Sequence, residues 1–314
     1  MKADAEHQPF GTRLGSGRSS RVSGAGVTVA DDHVVKVVEN VDAVAEKYAA
    51  FYRLGQRFSF HAPSVLSVDR AAGALHLERI FYAASLRDLY SDAIYRSEYR
   101  EMEGLLFTVG RALANIHLNL TQEAAVDWVA PTTLKNRLSE YGYNIDHSPP
   151  VRRAILHGDF GYSNLFLRTD GQLVILDPCP DGIVTHGCWE RAPVYVDIGR
   201  MLSCLEGAAL PLRAIVRLNT ATICRMQRTF LDGYRDVANF PVEDTAAFAF
   251  GYAIMMEQAA GSKGVGSIVK PALRYNRLVR RNFPLKRKLK YYGRANLVRD
   301  DIATVPTYSV PKKE

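Results

Sequence analysis

The sequence predicts an α+β chain of two lobes, a small antiparallel strand-rich lobe leading into a larger, mainly helical one. Three observations carry this. The first eighty or so residues hold short Val-rich runs cut by Gly, Ser and an Asp-Asp pair, with one helical pattern among them. Beyond residue 82 long helical patterns take over. An island of strand and loop, "ILHGDFGYSNLFLRTDGQLVILDPCP" (155–180), then interrupts the helices. The expected division is 1–81 for the first lobe and 82–314 for the second.

In chain order, "FGTRL", "RVSGAGVTVA" and "HVVKVVE" read as strands, the last two joined by a turn at Asp31-Asp32. "DAVAEKYAAFYRL" (42–54) reads as a helix, with Val44, Tyr48, Phe51 and Tyr52 at helical spacing. "SVLSVD" and "ALHLERI" are strands joined across Ala71-Ala72-Gly73. Helices are expected at 103–120, around 209–235 and at 243–260, while 119–150, with Pro131, Pro149 and Pro150, reads as irregular.

Composition bounds the function classes. With 47% hydrophobic and 23% charged residues in 314, disorder is not the default. The start, "MKADAEHQPFGTR", has no apolar run to act as a secretory signal. The longest apolar run, "AAFAFGYAIMM", is eleven residues, against the ~20 that a membrane span needs. A cytoplasmic location is the expectation. Cys179, Cys188, Cys204 and Cys224 form no C-x-x-C pair and read as reduced thiols, with Cys179 near the end of the island.

The net charge of +7 is local. Residues 270–294 hold ten Lys/Arg and no acid, leaving 30 basic against 33 acidic residues elsewhere, a net of −3. This segment reads either as a solvated face or as a contact for an anionic membrane surface, an anionic substrate or nucleic acid. No base-reading or aromatic-interleaved motif favours nucleic acid, and the charge disfavours a cationic acceptor.

The island carries the chemistry. Asp159 and Asn164 stand at the D-x-x-x-x-N spacing of a phosphotransferase catalytic loop, and the apolar strand "LVILD" delivers Asp177. A carboxylate at 159 can orient the proton of an attacking hydroxyl. An amide oxygen at 164 and a carboxylate at 177 suit hard Mg²⁺. Singly, each of the three reads as a turn residue; His157 reads as packing beneath the loop. Together the three form a pattern that chance rarely produces.

These motifs resemble the aminoglycoside-phosphotransferase-like branch of the protein-kinase superfamily, which includes choline, homoserine and sugar kinases. The resemblance covers most of the chain and implies a bilobal protein-kinase-like fold. It implies an ATP- or GTP-dependent, Mg²⁺-dependent phosphotransferase acting on a hydroxyl of a small molecule, sugar or glycan. "LGSGRSSRV" looks like a nucleotide-covering loop, with Gly15, Ser16, Gly17, Ser19 and Ser20 at the phosphates. Lys36 in "VVKV" would meet the α- and β-phosphates, held by Glu46 on the following helix. "LHLERI" resembles the hinge, where backbone groups from Glu78 to Ile80 would meet adenine. Asp159 would be the base and Asn164 and Asp177 the metal ligands. Asp197 in "VDIGRML" would brace the catalytic loop, and "FLDGY" (230–234) resembles a late helical motif of the group.

Gly158 in place of the Arg of H-R-D, Pro178-Cys179 after Asp177, and no Ala-Pro-Glu all turn the reading away from protein kinases. An atypical Ser/Thr protein kinase and a nucleotide-binding pseudokinase scaffold acting through its basic segment stay open as alternatives.

Overall fold

The computed structural model describes residues 26–140, 143–145, 152–178, 185, 187–207, 210–215 and 217–261. The loop bearing Gly15, Ser16, Gly17, Ser19 and Ser20, residue Cys179 and the basic segment 270–294 lie outside the described residues.

The N-terminal sheet has the order β1-β2-β5-β4, built from β1 (Val27–Val29), β2 (His33–Val37), β4 (Val65–Asp69) and β5 (Ala74–Glu78). Every neighbouring pair is antiparallel. The β1–β2 hairpin turns at Asp31-Asp32, and β4 and β5 are joined where Asp69 Oδ1 accepts the Ala71 and Ala72 amides. Helix α1 (Val41–Phe58) lies between β2 and the two-residue β3 (Phe60–His61). It starts at Asn40, whose side chain accepts the Ala43 amide at 3.2 Å. Val41, Val44, Lys47, Tyr48, Phe51 and Leu54 are its buried stripe, the i, i+3, i+4, i+7 pattern of an amphipathic helix. Val41, Val44 and Tyr48 close on Leu75 and Leu77 as one small core; Phe51 and Leu54 join the larger core of the helical lobe.

The helical lobe follows β6 (Ala84–Ser85). Its elements are α2 (Leu86–Arg96), α3 (Arg100–Asn119), β7 (Val126–Asp127), α4 (Thr132–Glu140), β8 (Arg153–Ile155), β9 (Leu165–Leu167), β10 (Leu173–Ile175), β11 (Glu190–Pro193), α5 (Tyr195–Leu205), α6 (Leu212–Ile215), α7 (Thr220–Val237) and α8 (Asp244–Gly261). Helices α3 and α7 pack without intervening side chains at two points. A Cβ on Gly233 would stand 2.0 Å from the Phe107 carbonyl oxygen, and one on Gly110 would stand 2.2 Å from that of Phe230. This close approach sets α3 against α7, and so sets His117 near Tyr234.

The segment 119–150 departs from the expectation of irregular structure. Helix α4 forms there because Leu134 and Leu138, one turn apart, both bury their side chains in the large core. Its nine residues and flanking Pro131 hide a helical period that longer segments show. Of the expected helix around 209–235, the main part begins at Thr220, capped by the Asn219 side chain on the Thr222 amide at 2.8 Å. Among the described residues, no helix is long and apolar enough to cross a membrane.

Candidate active site

Strand β8 runs into the loop 156–164, and that loop hangs from one buried carboxylate. Asp197, in the first turn of α5, accepts the His157 amide at 2.7 Å and the Gly158 amide at 3.0 Å. It also accepts the His117 Nε2–H at 3.1 Å, and His117 Nδ1 meets the Tyr234 hydroxyl at 2.8 Å. Burial alone would raise the Asp197 pKa; the His117 bond and the charge and amides around it outweigh that and hold it below the usual carboxylate range. The His157 ring, fully buried, donates Nε2–H to the Leu176 carbonyl at 3.0 Å and accepts the Asp159 amide on Nδ1 at 3.3 Å. It is a neutral tie between the loop and the strand carrying Asp177, as its packing role required. Gly158 sits at φ +101°, a region closed to L side chains, which accounts for a glycine where protein kinases have arginine.

Asp159 and Asn164 close one compact turn. The Asn164 Nδ2 donates to the Asp159 carbonyl at 2.9 Å and to its Oδ2 at 3.0 Å. The turn reading and the site reading of these residues thus describe one geometry. The second carboxylate oxygen, Oδ1, accepts the Nε–H of Arg200 at 2.7 Å. Arg200 was not among the residues singled out from the sequence. Its signal was its place three residues after Asp197 in an otherwise apolar helix, which puts both charges on one face toward the loop.

Lys36, 6% exposed on β2, reaches across to Asp177, 141 residues later, in a direct ion pair. Tyr48 donates its hydroxyl to the same Asp177 oxygen at 3.2 Å. Burial pushes the Asp177 pKa up, but the Lys36 ammonium overrides it and the net shift is downward. Asp177 adopts φ +55° immediately before Pro178, an uncommon backbone state for a non-glycine residue. Strain of this kind costs on the order of 1–3 kcal/mol and concentrates at functional sites.

The partner expected for Lys36 was Glu46, and here the structure corrects the reading. Glu46 is exposed and accepts Gln122 Nε2 at 3.3 Å. The physical reason is the helix period. Val44, Lys47, Tyr48 and Phe51 take the inward stripe of α1, and position 46 falls on the outer face. Lys47 is the inward residue instead, 1% exposed, with Nζ on the His157 carbonyl at 3.3 Å.

At the end of β5, the Glu78 carboxylate is held by His61 at 3.2 Å and by the Ser64 amide and hydroxyl at 3.1 and 2.9 Å. Its side chain therefore braces the strand end, leaving backbone groups from Glu78 to half-buried Ile80 as the part of the hinge that could meet a base. Beyond it, Tyr82 packs on Phe166 of β9 with ring centres 4.3 Å apart.

For a divalent cation the donors are the Asp177 carboxylate and the Asn164 amide oxygen. The Asn164 backbone carbonyl accepts the Leu176 amide at 2.9 Å, which sets Asn164 against the residue before Asp177. Among the described residues no group of three or more His, Cys, Asp and Glu is arranged to hold a metal ion by itself. One carboxylate and one amide fit Mg²⁺, which keeps most of its octahedron for phosphate oxygens and water.

No protein-family model matches the sequence, and no curated protein is significantly similar to it. Solved structures do share its fold. A glucosamine kinase is 18% identical with a TM-score of 0.57, covering 86% of this chain and 80% of that one. The same kind of enzyme in complex with glucosamine, ADP and inorganic phosphate gives 17% and 0.55, over 86% and 82% of the two chains. A choline/ethanolamine kinase family protein from Mesorhizobium loti gives 13% and 0.53, over 90% of this chain and 94% of that one. The chain has the bilobal kinase-like fold of these proteins.

Proposed function

We propose that this protein is a kinase that moves the γ-phosphate of ATP, or GTP, to a hydroxyl of a small molecule, sugar or glycan with the help of Mg²⁺. The observation that carries the proposal is the Lys36–Asp177 pair beside the Asp159–Asn164 turn, which in this reading would supply a phosphate-binding cation, a carboxylate base and two metal donors to one site. The similar structures, kinases of glucosamine and of choline or ethanolamine, support a small-molecule acceptor.

In this reading Lys36 leaves Asp177 for the α- and β-phosphates, since an ammonium follows the larger local negative charge. Asp177 and Asn164 would hold Mg²⁺, which would supply charge neutralisation at the phosphates. Asp159 takes the hydrogen bond of the acceptor hydroxyl and orients its oxygen toward phosphorus. Asp197 and His117 keep the loop fixed while this happens, so no reorganisation is required at the reacting step. Gly15, Ser16, Gly17, Ser19 and Ser20 would cover the phosphates, and the backbone from Glu78 to Ile80 would receive adenine. The basic segment 270–294 would meet an anionic surface or substrate; replacing Lys286, Arg287, Lys288 and Lys290 with Ala should then weaken binding to anionic vesicles, which unchanged binding at low salt would refute.

The test is Mg²⁺-ATP turnover over a broad panel of hydroxyl compounds, with phosphorylated product identified by mass spectrometry. Acceptor-stimulated turnover is expected. Nucleotide binding without transfer to any acceptor would favour the scaffold alternative.

A further inference from the structure

The catalytic carboxylate of a phosphotransferase needs no guanidinium beside it. The placement of Arg200 is nevertheless specific. The side chain is 15% exposed, against 27% for Asp159, so each keeps part of its surface open to solvent. The Nη1 group rests near the Cys204 thiol at 3.5 Å. A Cβ on Gly161, two residues after Asp159, would stand 3.1 Å from that sulfur and 3.4 Å from the guanidinium carbon, so the loop lies flat on Arg200. Burial alone would make the guanidinium easier to deprotonate; its surroundings, Asp159 among them, reverse that and keep it charged.

Among the described residues, Asp159 is the one carboxylate that Arg200 contacts, through a single N–H. A guanidinium carries five N–H donors in a planar fork that matches carboxylate and phosphate oxygens. Only Nε and one weak Nη1 contact are used here. Through Nε the guanidinium sits directly on the carboxylate that would receive the acceptor hydroxyl. An ammonium-bearing acceptor would find the Asp159 charge already matched and a buried cation next to it. A carboxylate or phosphate on the acceptor would find a charge-assisted, bidentate partner.

We propose that Arg200 is the specificity-determining residue of the acceptor site, and that the acceptor bears a carboxylate or phosphate near the hydroxyl that is phosphorylated. The proposal rests on the kinase reading above. The anionic group docks on the Nη edge while the hydroxyl meets Asp159. The acceptor oxygen then forms its bond to the γ-phosphorus as the bond to the β-γ bridging oxygen breaks. ADP leaves, and the hydroxyl proton passes by way of Asp159 to solvent.

Matched acceptors test this: glucose, glucosamine, glucuronate and glucose 1-phosphate, with glycerol, glycerate and glycerol 3-phosphate as a second series. The wild-type protein should show kcat/KM at least about tenfold higher for acidic acceptors than for their neutral or amino counterparts, as a buried charge pair discriminates by that order or more. The carboxylate and phosphate arms separate the two sources of the anion. Arg200→Gln should collapse the acidic-to-neutral ratio toward one, mainly through KM for the acidic acceptor. Arg200→Lys, which keeps charge but loses the fork, should restore part of the ratio. Equal or better use of neutral and amino acceptors by wild type overturns the proposal and leaves the kinase reading intact. So does an unchanged ratio in a folded Arg200→Gln protein. No transfer to any acceptor overturns both.

Discussion

The Gly158 amide and the Asp197 carboxylate are joined by a 3.0 Å hydrogen bond in a region closed to solvent. That bond, with its companion from the His157 amide, ties the loop bearing Asp159 to α5 and, through His117 and Tyr234, to α3 and α7. One ionised side chain therefore serves four elements at once.

Asp197→Asn keeps the shape but leaves two amides and an imidazole N–H sharing one amide oxygen. Breaking a buried charged network of this kind costs about 3–5 kcal/mol. The denaturant midpoint should fall accordingly. A loss below about 1 kcal/mol would show that the brace is not where the loop gets its stability.

Lys36→Met and Glu46→Gln should differ sharply. Lys36 is buried against Asp177, whereas Glu46 faces solvent and accepts a hydrogen bond from Gln122. Nucleotide affinity and turnover should drop for Lys36→Met and stay near wild type for Glu46→Gln. Comparable losses in nucleotide binding would restore Glu46 as the partner. Because the Asp177 side chain is 36% exposed, the stability cost of Lys36→Met should be less than the 3–5 kcal/mol of a fully buried pair, about 1–2 kcal/mol.

Burial pushes the His157 imidazole below its ordinary 6.5; Asp197, Asp159 and Asp177 pull it up, Lys47 pushes it down, and burial prevails. The unfolded chain thus takes up this proton before the folded one does. Stability is fully present above about pH 6.5 and falls as the pH drops below it, by up to about 1.4 kcal/mol per pH unit. Asp177 and Asp197, both depressed below 3.8, add a second loss as the pH falls further, through their folded values. Urea denaturation at pH 7 and pH 5 should show the first loss, and His157→Gln should flatten it. An equal slope in the variant would assign the proton elsewhere.

Much of this site was legible in the sequence because its signals are local. Asp159, Asn164 and Asp177 stand at fixed spacings within one island, and Lys36 is a lone cation in a run of valines. The helix of α1 was equally plain from its apolar period, yet choosing its inward polar residue needed the phase to within one position. Glu46 and Lys47 are neighbours, and only the second lies on the stripe with Val44, Tyr48 and Phe51. Arg200 was missed because its partner is 41 residues away and an arginine in a helix ordinarily reads as a solvated side chain. α4 was missed because its nine residues carry only about two and a half turns of periodicity.

Gly233→Ala should destabilise the helical lobe. Its Cβ would meet the Phe107 carbonyl oxygen at 2.0 Å, a backbone atom that cannot rotate away. Overpacking of this kind costs about 1–3 kcal/mol. Thermal unfolding checks it; an unchanged melting temperature would mean that α3 and α7 separate at little cost.

The most direct measurement of the central claim is turnover and nucleotide affinity of Asp159→Asn beside wild type, on whichever acceptor supports transfer. A positioned base contributes about 10²–10⁴ in rate, so turnover should fall by that order while nucleotide affinity holds within a few-fold. Turnover equal to wild type in a folded Asp159→Asn protein would contradict the role of Asp159, and with it the account of the cleft as a phosphotransfer site.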